Sequence, residues 1–165
     1  MEQHLYFRDN FFSVGRTEIY NEAKEMAGEL DLKNIFGTAI DVLDLNGEVI
    51  ISGKFPLFGL KWKVYDRHGQ EIGSLKAKFS LFSKKFEYDA SDRGSYIINS
   101  EAFSKVYEIM DGDQIVARFD KISSFIESSA YRLRNNSSKL SNEELIAVVM
   151  GVNAIHKRQR TNSGA

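Results

Sequence analysis

Six lysines crowd into the stretch between positions 61 and 85: Lys61, Lys63, Lys76, Lys78, Lys84 and Lys85. Ammonium groups at this density suit one kind of chemistry, the holding of an anion. The candidates are an anionic phospholipid at a membrane surface, another phosphate-bearing partner, or an acidic protein face; nucleic acid is the least favoured. Just upstream, Phe55, Leu57, Phe58 and Leu60 flank Pro56 and Gly59. An apolar loop beside lysines can enter a lipid interface while the lysines hold headgroups. Each feature also has a plainer explanation. Lysines solubilise outer sheet faces, and an apolar crossover can lie buried against the end of a sheet.

Little else in the chain suggests chemistry. There is no GxSxG, no P-loop and no GxGxxG, so neither an activated serine nor a nucleotide cradle is indicated. The chain has no cysteine, which removes thiolate metal sites, thiol nucleophiles and disulfides. His4, His68 and His156 are too far apart to share a metal by local spacing, and each reads as a surface residue. Asp111-Gly112-Asp113 and the acids between Asp89 and Asp92 read as turns, since neither continues into a calcium loop. Asp41 and Asp44 are too generic a pair to carry acid–base work. No catalytic residue, metal or cofactor is assigned.

The charge is unevenly spread. Residues 1–53 carry ten acids against four bases, and residues 54–85 carry eight bases against two acids. The whole chain nets only −1, so the basic block is local rather than a property of the composition.

The elements that carry this block follow from a turn pattern. Five segments alternate apolar and polar residues about a central turn: 17–32, 38–55, 61–79, 84–99 and 106–122. Asn46-Gly47 and Asp111-Gly112 are strong hairpin signals, and the remaining turns centre near Glu22–Lys24, His68-Gly69 and Asp92–Gly94. Five hairpins supply ten strands. His4–Arg8 and Ala130–Arg134 add one at each end. A sheet of about twelve antiparallel strands tends to close, and a barrel of that size has a lumen its own side chains do not fill.

The C-terminal segment supplies the filling. Ser141 is an N-cap, and Glu144 three residues on completes a capping box. His156, Lys157, Arg158 and Arg160 suit the negative end of the helix dipole. From Leu145 to Ile155 the run is apolar all round the helical wheel, interrupted only by Gly151 and Asn153. Eleven residues rise only ~16 Å, short of the ~30 Å of a bilayer core. Burying the seven large aliphatic side chains gains roughly 10–20 kcal/mol, which points to enclosure by protein. Gly151 is expected to admit a close-approaching strand, and Asn153 to bond an inward polar group. The alternative, a sandwich with an outer helix, would leave a polar stripe on that helix. The core helix is placed at 142–158, one domain at 1–160 and a loose tail at 161–165.

Strand alternation then sets the lysines. Lys61, Lys63, Lys76 and Lys78 share an outer face, with Trp62 and Phe79 inside. The second hairpin reads as apolar on both faces, because Val42 lies with Ile51 and Leu43 with Ile50. Its outer face therefore calls for cover by the N-terminal segment, a second subunit or a ligand.

Three stretches, FRDNFFSVGRTEIYNE, GKFPLFGLKWKVYD and NEELIAVVMGVNAIHKRQ, resemble the bacterial LURP-one-related proteins, relatives of tubby C-terminal domains and phospholipid scramblases. The resemblance spans nearly the whole chain. It implies a mainly β fold, a twelve-stranded closed barrel around a hydrophobic C-terminal helix, and no agreed catalytic residues. Tubby domains bind phosphoinositides through basic side chains. The Pro-rich arm, cysteine cluster and calcium-linked acidic segment of scramblases have no counterpart here.

The sequence thus points to a non-enzymatic binding module, without cofactor, that docks on anionic lipid or another phosphate-bearing partner. The competing reading is a structural or regulatory protein-interaction domain that forms a homo-oligomer through the second hairpin. No signal peptide opens the chain, and a cytoplasmic protein, peripheral to the membrane, is expected.

Overall fold

A computed structural model describes residues 1–78, 84–100, 105–125 and 128–163. Twelve strands form one closed antiparallel barrel in which each strand pairs with its chain neighbours. In chain order they are β1 (Gln3–Arg8), β2 (Gly15–Tyr20), β3 (Met26–Leu32), β4 (Ala39–Leu43), β5 (Val49–Lys54), β6 (Trp62–Asp66), β7 (Glu71–Lys78), β8 (Lys84–Asp89), β9 (Ser95–Ser100), β10 (Tyr107–Asp111), β11 (Gln114–Phe125) and β12 (Ser128–Asn135). Pairing of β1 with β12, from Gln3 opposite Asn135 to Arg8 opposite Ala130, closes the ring. The five hairpins and the two end strands lie where the turn pattern put them.

The lumen is filled by α1 (Asn142–Ser163). Every residue from Leu145 to Ile155 is buried. A helix with no polar face is stable only where apolar neighbours surround it, and the inward residues of all twelve strands provide them. Trp62 makes the closest approach. Its indole lies where a Cβ on Gly151 would come within 2.5 Å and one on Gly53 within 2.6 Å. The ring is thus held between helix and strand by two missing side chains, and its Nε1 donates to the Ala147 carbonyl at 3.1 Å. Gly151 makes room for this side chain rather than for a strand backbone.

Four expectations are corrected. The helix runs past 158 to Ser163 and takes in Thr161, whose hydroxyl donates to the Lys157 carbonyl at 2.9 Å; no glycine or proline intervenes before Gly164. The capping box is half formed. Ser141 Oγ accepts from the Glu144 amide at 3.1 Å, but the Glu144 carboxylate turns into the barrel. There it accepts from the Tyr88 hydroxyl at 2.5 Å and from Arg93 at 2.6 and 2.9 Å. The second hairpin's register shifts between Val42 and Leu43, so Leu43 does not pair with Ile50. That bulge pairs Leu43 with Val49, packs Ile50 against the core and leaves Leu43 buried. His156, read as a surface residue, is half-buried against the Phe86 ring at 5.0 Å.

Candidate functional site

Antiparallel closure sends every second connection to the same end of the barrel. The two ends differ. At the end where α1 begins, the connections between strands are short turns: 21–25, 44–48, 67–70, 90–94 and 112–113. The end where α1 emerges has the longer connections 33–38 and 55–61.

Three of the short turns share one construction. Asp44 Oδ1 accepts from the amides of Asn46 and Glu48 at 2.8 and 3.0 Å, and Asp66 Oδ1 accepts from His68 and Gln70, both at 2.9 Å. Gly47 and Gly69 follow at φ +78° and +76°. The first hairpin repeats the pattern with Asn21, but Lys24 occupies the left-handed position at φ +64°. Acids at this end therefore head turns by accepting backbone N–H groups. Their chemistry is spent on the fold. Arg93 and Glu144 lock the helix start at the same end, where burial and the Glu144 carboxylate hold the Tyr88 hydroxyl well above its ordinary pKa.

The opposite end is built differently. Leu57, Phe58 and Leu60 are 93, 88 and 81% exposed, and Ile35 and Phe36 in the neighbouring connection are 68 and 61% exposed. The two connections touch: the Phe55 amide donates to the Thr38 carbonyl at 3.1 Å, and Lys157 reaches the Ile35 carbonyl at 3.4 Å. Phe55 itself is tucked in, edge-on to Trp62 at 5.3 Å, with the Arg158 guanidinium 4.0 Å above its ring. Between them lies a half-open groove of about 220 Å³ lined by Phe36, Phe55, Ala154, Lys157 and Arg158. Neither connection, nor the helix from Asn153 to Thr161, contains a carboxylate. They carry Lys33, Lys61, Lys157, Arg158 and Arg160.

The lysines singled out from sequence stand beside this end. Trp62, Val64, Leu75, Phe86 and Tyr88 are buried, so Lys63, Lys76, Lys78 and Lys85 point outward by alternation. Cross-strand register puts like charges opposite one another, Lys54 with Lys63 and Lys78 with Lys85. The outer face is less purely basic than its lysine count implies. Lys63 is paired with Glu71 at 2.6 Å, Lys78 approaches Glu87 at 3.7 Å, and Lys76 stands opposite Glu87. Lys61 lies in the 55–61 connection and Lys84 opens β8. Phe79, expected inside, lies outside the described residues.

A model of the LURP-one-related family matches residues 3–146. The chain belongs to this family. Its likeness in shape agrees: a solved structure of an Arabidopsis thaliana protein aligns at a TM-score of 0.57 over 92% of this chain and 91% of that one, at 13% identity. At that identity the likeness concerns the fold. No curated protein matches the chain. The family match ends at Ile146, so the LURP-one-related signature covers the barrel and only the first turn of its helix.

Sequence reasoning missed two parts of the site. One is the Ile35-Phe36 pair, whose only signal was two large apolar residues between the turn formers Asn34 and Gly37. The other is a cluster inside the rim. Asn153, His156, Lys157 and Arg160 recur at helical spacing on one side of α1, opposite Lys105. The Lys105 amine bonds Asn153 Oδ1 and lies 4.4 Å from the Phe12 ring centroid. Burial pushes Lys105 down to about 8, helped by repulsion from Lys157 and Arg160. His156 is lowered to about 4, first by burial and then by Lys84, Lys105 and Arg160.

Proposed function

We propose that this LURP-one-related barrel is a non-enzymatic binding module that docks, end-on, onto an anionic lipid surface. The end that carries the exposed 33–38 and 55–61 connections makes the contact. The observation that carries this reading is the coincidence of five large exposed apolar side chains with connections and a helix end that carry cations and no carboxylate of their own, although Lys33 is paired with Asp31 and Asp41 from the adjoining strands. Burying each such side chain in the interface gains ~1.5–3 kcal/mol, and each lysine or arginine near an anionic leaflet adds about 1 kcal/mol. Among the described residues no helix is long and apolar enough to cross a membrane. The proposed contact is therefore peripheral, and we place it at a cytoplasmic leaflet. Lys61 and Lys84 belong to the contact directly. Lys63, Lys76, Lys78 and Lys85 flank it and act through their field.

The test is co-sedimentation with vesicles containing phosphatidylglycerol, at low and high salt. Wild type should pellet at low salt and release as salt screens the headgroups. Leu57→Asp with Phe58→Asp should abolish pelleting, while Lys76→Glu should weaken it only modestly. Equal pelleting of wild type and the loop variant would contradict the reading. So would a concentration-dependent dimer that disappears in the loop variant, with no vesicle binding by either protein.

A further inference from the structure

The groove of about 220 Å³ beside the last turns of α1 is lined by two kinds of side chain. Phe36, Phe55 and Ala154 are apolar. Thr38, Lys157 and Arg158 are polar, and what they offer is mostly donors. The Arg158 guanidinium stands 4.0 Å above the Phe55 ring, an attraction that uses none of its N–H groups. Its Nη1 is buried and meets no acceptor. Lys157 reaches the Ile35 carbonyl at a long 3.4 Å, and burial holds its ammonium below the ordinary pKa. The Thr38 hydroxyl accepts from Asn34 Nδ2 at 2.6 Å, so its own proton remains to be donated.

Among the described residues no carboxylate lines the groove. The acids of this end are accounted for elsewhere. Asp31 and Asp41 hold Lys33 at 2.6 and 3.0 Å. Glu101 and Glu127 lie outside the described residues, in the connections from β9 to β10 and from β11 to β12. Two strands of the ring separate each of those connections from β3–β6, the strands whose connections flank the groove. Residues 79–83 contain no charged side chain.

A cavity of ~150 Å³ lined by apolar side chains takes up a benzene, so this groove has room for a short alkyl chain. Because it is half open, a longer chain can run out of it. A carboxylate only accepts hydrogen bonds, and a guanidinium fork meets it with two parallel ones. Water would satisfy Nη1 but would gain nothing from the two phenylalanines. We propose that the groove binds a fatty carboxylate, its alkyl chain against Phe36, Phe55 and Ala154 and its head on Arg158 with Lys157 beside it. This goes beyond the docking reading and does not depend on it, since a dissolved carboxylate needs no membrane.

The single tryptophan, Trp62, lies edge-on to Phe55 at 5.3 Å, so its fluorescence reports the groove. The full chain is titrated with octanoate without vesicles, and calorimetry counts the sites. Saturable binding at one site per chain is expected. Octanol, which lacks the charge, and acetate, which lacks the chain, should each bind at least about tenfold more weakly. Either one matching octanoate overturns the proposal. Octyl phosphate binding more than about tenfold tighter than octanoate would assign the head to phosphate and also overturn it. Arg158→Gln should weaken octanoate about tenfold, as should the exposed Phe36→Ser, and Arg158→Lys should weaken it less. Glu101→Gln and Arg67→Gln, the latter on the opposite end, should stay within about twofold. Unchanged affinity in both Arg158→Gln and Phe36→Ser contradicts the site. So does binding seen only after Gly164 and Ala165 are deleted, which would give the groove to the segment after Ser163. No octanoate binding at all overturns the proposal and leaves the docking reading standing. Octanoate binding by a protein that never pellets with vesicles keeps the groove and overturns the docking reading.

Discussion

The two ends of the barrel are made from the same hairpins and are built differently. At the end where α1 begins, charge is consumed internally. Asp44 and Asp66 hold turn amides, and Glu144 is buried between Tyr88 and Arg93. At the end where α1 emerges, large apolar side chains stand in water beside connections that carry no carboxylate. One end lowers the free energy of the fold. The other exposes apolar surface that the proposed docking would bury.

Substitutions at the two ends should separate stability from binding. The largest effect is expected at the helix start. Arg93→Ala leaves the Glu144 carboxylate buried without its cation and should cost about 3–5 kcal/mol, nearer the lower figure because Arg93 is 30% exposed. Urea unfolding measures this, and vesicle affinity of the folded variant should not change. Leu57→Asp with Phe58→Asp should do the reverse. Vesicle affinity should fall at least about tenfold, with the unfolding midpoint unmoved.

Two smaller effects sharpen the contrast. His156 is neutral in the fold and titrates near 4, against 6.5 when unfolded. The unfolded chain thus binds the extra proton between these values, and stability falls as pH drops from 6.5 toward 4. Discounted for solvent screening, the loss is on the order of 1 kcal/mol. His156→Gln should remove that part of the pH slope, and an unchanged slope would mean that the ring is not held neutral. At the other end, Lys24 sits at φ +64° where its sister turns use glycine. Lys24→Gly should raise stability by about 0.5–1 kcal/mol, measured by thermal unfolding, and leave binding alone.

Much of the fold was legible because its signals are local. Asn46-Gly47, His68-Gly69 and Asp111-Gly112 mark turns by backbone requirements that few other residues meet, and the apolar circumference of α1 fixes its enclosure. The site was legible only in part. Phe58 and Lys61 could be named because large apolar residues stand beside lysines there, but the exposure of Phe58 could not be told from a buried crossover. The pairing of Lys63 with Glu71 could not be weighed, since it depends on which rotamers meet across a register bulged between Val64 and Tyr65. The juxtaposition of Lys105 with Asn153 spans 48 residues and exists only once the barrel has closed around the helix. Likewise, the inward turn of Glu144 was hidden by a capping motif that is equally well written for a helix in open water.

The absence of cysteine from the chain permits the most direct test of the central claim. A single environment-sensitive fluorophore is placed either at Leu57→Cys, on the end that carries the exposed connections, or at Asn46→Cys, on the opposite end. Quenchers fixed at known depths in phosphatidylglycerol vesicles then read where each label lies. The account predicts that the label at position 57 enters the acyl region while the label at position 46 stays in water. Both labels in water with protein bound, or insertion of position 46, would contradict it.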